Sequence, residues 1–155
     1  MTPSSIRLTL DAPTAHYQAG ERLTGRYMVE GTQAWSARAA ELSVLWYTAG
    51  KGEEDMAVHH FERLVDEPAR PLDLRVPRRF ATVLPASPLS YDGQIVKVCW
   101  CVRVRLFLPH GQESVAETAF RLGNVPAARN EEPEMRSEER ELGARSEERG
   151  ARNVD

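Results

Sequence analysis

His59 and His60 stand side by side, and Cys99 and Cys101 stand two apart; these are the only places where soft metal ligands come in pairs. Three or four such side chains on one surface would hold a zinc ion. An ordinary strand, however, sends adjacent residues to opposite faces, so at most one of the two histidines can join the cysteine face. No Cys-x-x-Cys knuckle or distal ligand pair completes the set, and the expectation is free thiols and surface histidines, with no metal and no cofactor. A disulfide between Cys99 and Cys101 is not expected either, since i and i+2 side chains on a strand run parallel with Cα atoms roughly 6.5 Å apart. Ser87, Ser90 and Asp92 gather around Tyr91 in one stretch, but no Gly-x-Ser-x-Gly elbow and no histidine partner accompanies them. Gly50-Lys51-Gly52 lacks the spacing of a phosphate-binding loop and reads as a hairpin turn. With no nucleophile and base in sight, the chain is expected not to be an enzyme. What does stand out is a row of cations, Lys97, Arg103 and Arg105, at like parity along one segment. Such a row suits an acidic partner segment, or it is a solvated face neutralised by carboxylates on a neighbouring strand. Tyr91, close to the start of that segment, and Trp35, in a polar stretch, complete the candidate partner-binding residues.

The elements that must carry these residues alternate with period two. Ile6, Leu8 and Leu10 share a parity, as do Leu23, Gly25, Tyr27 and Val29, and as do Leu42, Val44 and Trp46. The longest run is 95 to 108, where Val96, Val98, Trp100, Val102, Val104 and Leu106 form one face. Its other face carries Lys97, Cys99, Cys101, Arg103 and Arg105, and is expected to be wet or partly covered. On those parities Trp46 and Trp100 are core residues. Turn residues separate the runs at 18–21, 50–52, 68–71, 85–88, 92–93 and 109–111. Short strands at regular spacing, with no long segment of period 3.6, predict an all-β fold: an antiparallel two-sheet sandwich of about seven or eight strands.

Composition sets the outer limits. A chain of 155 residues holds one core of ordinary size. A hydrophobic fraction of 41% with 28% charged residues is that of a globular protein. The net charge of −3 offers no field to recruit nucleic acid. No stretch approaches the roughly 18 apolar residues of a membrane span, and MTPSSIRLTL lacks the basic and apolar regions of a secretory signal. A cytoplasmic protein with a protein partner, no nucleic acid and no membrane insertion is expected. Charge is concentrated beyond the alternating runs: residues 127–155 hold six arginines against eight glutamates and Asp155. Their only sizeable apolar side chains are Met135, Leu142 and Val154, too few to offset the entropy of ordering. Domain 1–126 is therefore expected to be followed by a disordered tail, 127–155, in which Arg-Ser-Glu-Glu-Arg occurs at 136–140 and again at 145–149.

Three segments resemble the arrestin-like β-sandwich family, which includes the N-terminal domain of arrestins, a retromer subunit and bacterial sporulation-control proteins. The first is Tyr17-Gln-Ala-Gly-Glu-Arg-Leu-Thr-Gly-Arg, similar to the family's hairpin into the second long strand, with Ala19 where the family usually has proline. The second is Glu41-Leu-Ser-Val-Leu-Trp-Tyr-Thr-Ala-Gly-Lys-Gly. The third runs from Phe80 through Leu84-Pro85-Ala-Ser-Pro-Leu-Ser-Tyr91-Asp-Gly93 into Val96-Lys-Val-Cys-Trp100-Cys-Val-Arg-Val, and resembles the element that crosses to the next long strand. In chain order these cover residues 5 to 124. Arrestins carry two sandwiches, and this chain has room for one. The resemblance implies a non-catalytic interaction or scaffold module, while receptor binding and phosphate sensing are not carried over. The alternatives are a small-ligand or metal-responsive module that uses the Cys99/Cys101 face, and an enzyme of unrecognised type.

Overall fold

The computed structural model describes residues 5–123; the expected tail, 127–155, lies outside them. In chain order the elements are β1 (Ile6–Leu10), β2 (His16–Tyr17), β3 (Arg22–Val29), the single-turn α1 (Gln33–Ser36), β4 (Ala39–Gly50) and β5 (Met56–Val65). They continue with β6 (Arg78–Val83), β7 (Tyr91–Asp92), β8 (Val96–Phe107), a 3-10 turn at Pro109–Gly111, and β9 (Glu113–Leu122). A three-stranded sheet, β1-β3-β6, faces a six-stranded one in the order β2-β9-β8-β4-β5, and β7 pairs the first residues of β8. All pairings among these strands are antiparallel except that of β2 with β9. The fold is thus the expected all-β sandwich. The nine strands among the described residues exceed the expected number because β2 and β7 are two-residue pairings, too short to leave a period-two signature.

The alternating residues fill the space between the sheets. Ile6, Leu23, Tyr27 and Val29 from the small sheet meet Leu42, Val44, Trp100, Val102, Val104, Leu106, Phe120 and Leu122 from the large one. Trp46 departs from the core position expected of it: it is only partly buried, packed against this core near one end of β4. The Trp100 ring lies 5.7 Å from that of Phe120, and Phe120 meets Tyr17 edge-on at 5.6 Å. Offset and edge-on contacts of this kind suit the charge distribution of aromatic rings. The indole of Trp100 donates to the Pro88 carbonyl at 2.8 Å. A buried polar hydrogen thereby finds its partner in the 84–90 connection. That connection crosses from β6 in the small sheet to β7 in the large one, and it is fastened at both ends. Leu84 exchanges backbone hydrogen bonds with Gly20 and Glu21, while Ser90 donates its amide to the Leu122 carbonyl and accepts the Leu122 amide on its hydroxyl. The prolines of this stretch withhold donors, which keeps it from pairing as a central strand.

The turn at 50–52 joins β4 to β5 as a hairpin, with Gly50 at φ 134° and Gly52 at φ 113°. A side chain at position 50 would collide with the Ile95 carbonyl, so glycine is needed there for space as well as for backbone conformation.

Candidate functional site

The outward surface of the large sheet follows from register. Residues that pair across strands share a face, so Val58, Leu45, Cys101 and Ala119 form one row, and Phe61, Ser43, Arg103 and Glu117 the next. A third row holds Arg63, Glu41, Arg105 and Val115, and a fourth Val65, Ala39, Phe107 and Glu113. Leu45 and Cys101 are buried although they point away from the sandwich, at 1% and 3% exposure. Their neighbours cover them, and the neighbours on β5 are themselves apolar: Met56, Val58, Phe61 and Val65 are each 45–51% exposed. This surface has an apolar middle bordered by a belt of charge.

The belt contains two of the cations singled out in the sequence. Arg103 donates to Glu117 at 2.7 Å, and Arg105 grips both carboxylate oxygens of Glu113 at 2.8 and 3.0 Å. The hydrogen bond to Glu113 raises the Arg105 pKa further by favouring the charged form. Arg63 is ion-paired with Glu41. Arg63 and Arg105 both lie over the Phe107 ring, 5.5 and 5.2 Å from its centre, where the ring face attracts a cation. Lys97, on the same face of β8, is paired with Asp92 at 3.4 Å. The structure therefore brings Lys97, Arg103 and Arg105 onto one surface and gives each a carboxylate from an adjacent strand. Tyr91 is on β7, opposite Val98, and exposed. Trp35 lies apart on α1 and is 68% exposed. The Arg75 guanidinium stacks 3.7 Å from the centre of its ring and is held there by a two-pronged bond to Asp73. That bond also lowers the Asp73 pKa.

The paired soft ligands separate. Cys99 and Cys101 are free thiols on the outer face, and burial pushes Cys101 up to about 11. A bulge at His59, between the pairs Val44–His60 and Leu45–Val58, breaks the simple alternation expected of the two histidines. His59 reaches the Val83 carbonyl at 2.7 Å and lies near Trp100, while His60 stands opposite the core residue Val44 and bonds Glu62 at 2.7 Å. Both rings thus engage the inner side, away from the cysteines. Among the described residues no three histidine, cysteine or carboxylate side chains gather as a metal site.

Sequence reasoning did not single out β5. Its signal is weak because the bulge interrupts the parity of Met56, Val58, Phe61 and Val65, and because both of its faces carry polar residues. Among the described residues it is nonetheless the longest strand at an edge of either sheet, and its backbone pairs with no strand but β4. A run of ten residues whose other backbone side pairs with no described strand, and which carries an apolar outer row, is a template for another extended chain.

No family model and no curated protein matches the chain. Among solved structures, the sporulation control protein Spo0M from Bacillus subtilis superposes with a TM-score of 0.57 at 16% identity, over 81% of this chain. The chain accounts for about half, 51%, of the length of that protein. No helix among the described residues is long and apolar enough to cross a membrane. The two-sheet order, the crossing connection through Pro85 and Pro88, and this superposition agree: residues 5–123 have an arrestin-like β-sandwich fold, similar to that of Spo0M.

Proposed function

We propose that the chain is a non-catalytic interaction module that takes an extended segment of a partner protein alongside β5. The observation that carries this reading is the coincidence, on one edge strand of ten residues, of a backbone side unpaired among the described residues and of Met56, Val58, Phe61 and Val65 half exposed on a single face. An added strand gains main-chain hydrogen bonds from the edge, and its alternate apolar side chains continue the row that runs over Leu45 and Cys101. Arg63, Arg103 and Arg105, each paired with a glutamate, border that row and set the charge pattern that a partner must match. The partner segment is therefore extended, apolar at alternate positions and of mixed charge at one end. A regulatory or scaffold role is the sense in which such a module acts, and the location proposed for it is the cytoplasm. Ser90, the serine nearest Asp92 and Tyr91, has its hydroxyl and amide engaged by Leu122, which favours a fastening role over a catalytic one.

The test is selection of binding peptides from a random library on the intact protein, followed by Val58→Lys and Phe61→Lys together. Both side chains are half exposed, so the melting temperature should stay within a few degrees while peptide affinity falls by tenfold or more, roughly 1.4 kcal/mol. Selected peptides that bind the double variant as well as the parent would refute the β5 assignment.

A further inference from the structure

Where β8 passes from its pairing with β9 to its pairing with β7, the two neighbours leave a gap, and a cleft of about 320 Å³ opens there. Its walls are largely apolar, from Ala15, Tyr91, Val98, Trp100, Ala119 and Phe120. Its polar lining is mostly basic: His16, Lys97 and Arg121, against the single carboxylate of Asp92. Asp92 is already paired with Lys97 at 3.4 Å, so it does not neutralise Arg121.

Buried side-chain atoms without a hydrogen-bond partner occur on Tyr17, Arg78 and Arg121 among the described residues, and Arg121 alone has two. Its Nε and Nη2 are shut off from solvent and have no hydrogen-bond partner among the described residues. A guanidinium with unmet buried N–H groups is costly, on the order of 1–3 kcal/mol or more, and ordinarily has a partner. These two nitrogens form the side-on fork that matches a planar carboxylate. The same fork of Arg75 holds both oxygens of Asp73 at 3.0 Å elsewhere in this chain.

The geometry points to the cleft as a binding site for a small carboxylic acid with an apolar or aromatic body. Arg121 grips the carboxylate, and Ala15, Tyr91 and Ala119 face the body, while Trp100 and Phe120, buried in the core, close the cleft from behind. Arg121 as a whole is only partly buried and lines the cleft, so a turn of its terminal torsions presents the fork to the ligand. The volume is at the small end of ligand sites, which suits a compact single-ring or short-chain acid. The site is distinct from the β5 edge, and neither assignment depends on the other.

The experiment is titration of the full chain with benzoate and phenylacetate, followed by the Arg121 Nε–H resonance and the amides of Tyr91, Cys99 and Ala119, with benzamide and phenylacetamide as neutral counterparts. The expected result is saturable shifts at those positions from the acids and affinity at least about tenfold weaker for the amides. Arg121→Gln should remove the acid response, and Val58→Lys with Phe61→Lys should leave it intact. Should Arg121→Gln fail to fold, Arg121→Lys serves in its place, and the acid-to-amide ratio in the parent chain stands as an independent reading. Equal responses to acid and amide, no response at the cleft, or saturable shifts confined to other basic residues would overturn the assignment.

Discussion

A methyl group on Gly25 would lie 2.6 Å from both the Phe80 ring and the Thr9 carbonyl, because β3 is flanked on both sides and the Phe80 ring covers the glycine. Gly25→Ala is expected to destabilise the fold by about 1–3 kcal/mol through overpacking, measured by urea unfolding. A second consequence at this scale comes from Cys101, whose thiol is raised to about 11 by burial, and from Tyr27, raised to about 12, again chiefly by burial. In both cases the folded chain holds its proton above the pH at which the unfolded chain releases it. The stability these groups contribute is therefore fully present below their unfolded values, about 9 for the thiol and 10 for the phenol, and is lost as pH rises through the folded ones. Unfolding free energy should decline from about pH 9 upward, and Cys101→Ala should flatten the first part of that decline. Alkylation at about pH 8 should reach Cys99 well before Cys101, which reacts only on unfolding.

Across strands, the two arginines of β8 are matched by glutamates of β9, so their energetics belong to pairs. Arg103→Glu sets like charges against each other at Glu117 and should cost about 0.5–1 kcal/mol; Arg103→Glu with Glu117→Arg should recover most of it. Thermal melts of the single and double variants measure the coupling. That pairing also shows what period two can and cannot reveal. The parity of 95–108 places Lys97, Arg103 and Arg105 on one surface correctly, because it depends only on the pleat. It is silent about Glu113 and Glu117, because register between β8 and β9 is set by the whole sheet. The β-bulge at His59 has the same origin: one inserted residue redirects two histidine rings, and no local pattern announces it. Arg121 gave no signal for a related reason, since what marks it is the partners it lacks among the described residues.

For the molecule as a whole, the sandwich was legible from alternation and turn residues, and the crossing connection from Pro85, Pro88 and Gly93. The edge proposed here to receive a partner strand was not, because being at an edge is a property of strand order. The described core lies within residues 6–122. Removal of 127–155 should therefore shift the melting temperature by no more than about 3 °C. The central claim is that β5 receives another strand, and backbone amide exchange on the intact protein tests it most directly. With a selected peptide bound, the account predicts new protection along Met56–Val65, at amides that do not pair with β4, and little change along β1 or β6. Protection that appears on β1, β6 or the α1 region around Trp35, with β5 exchanging as in the free protein, would contradict it.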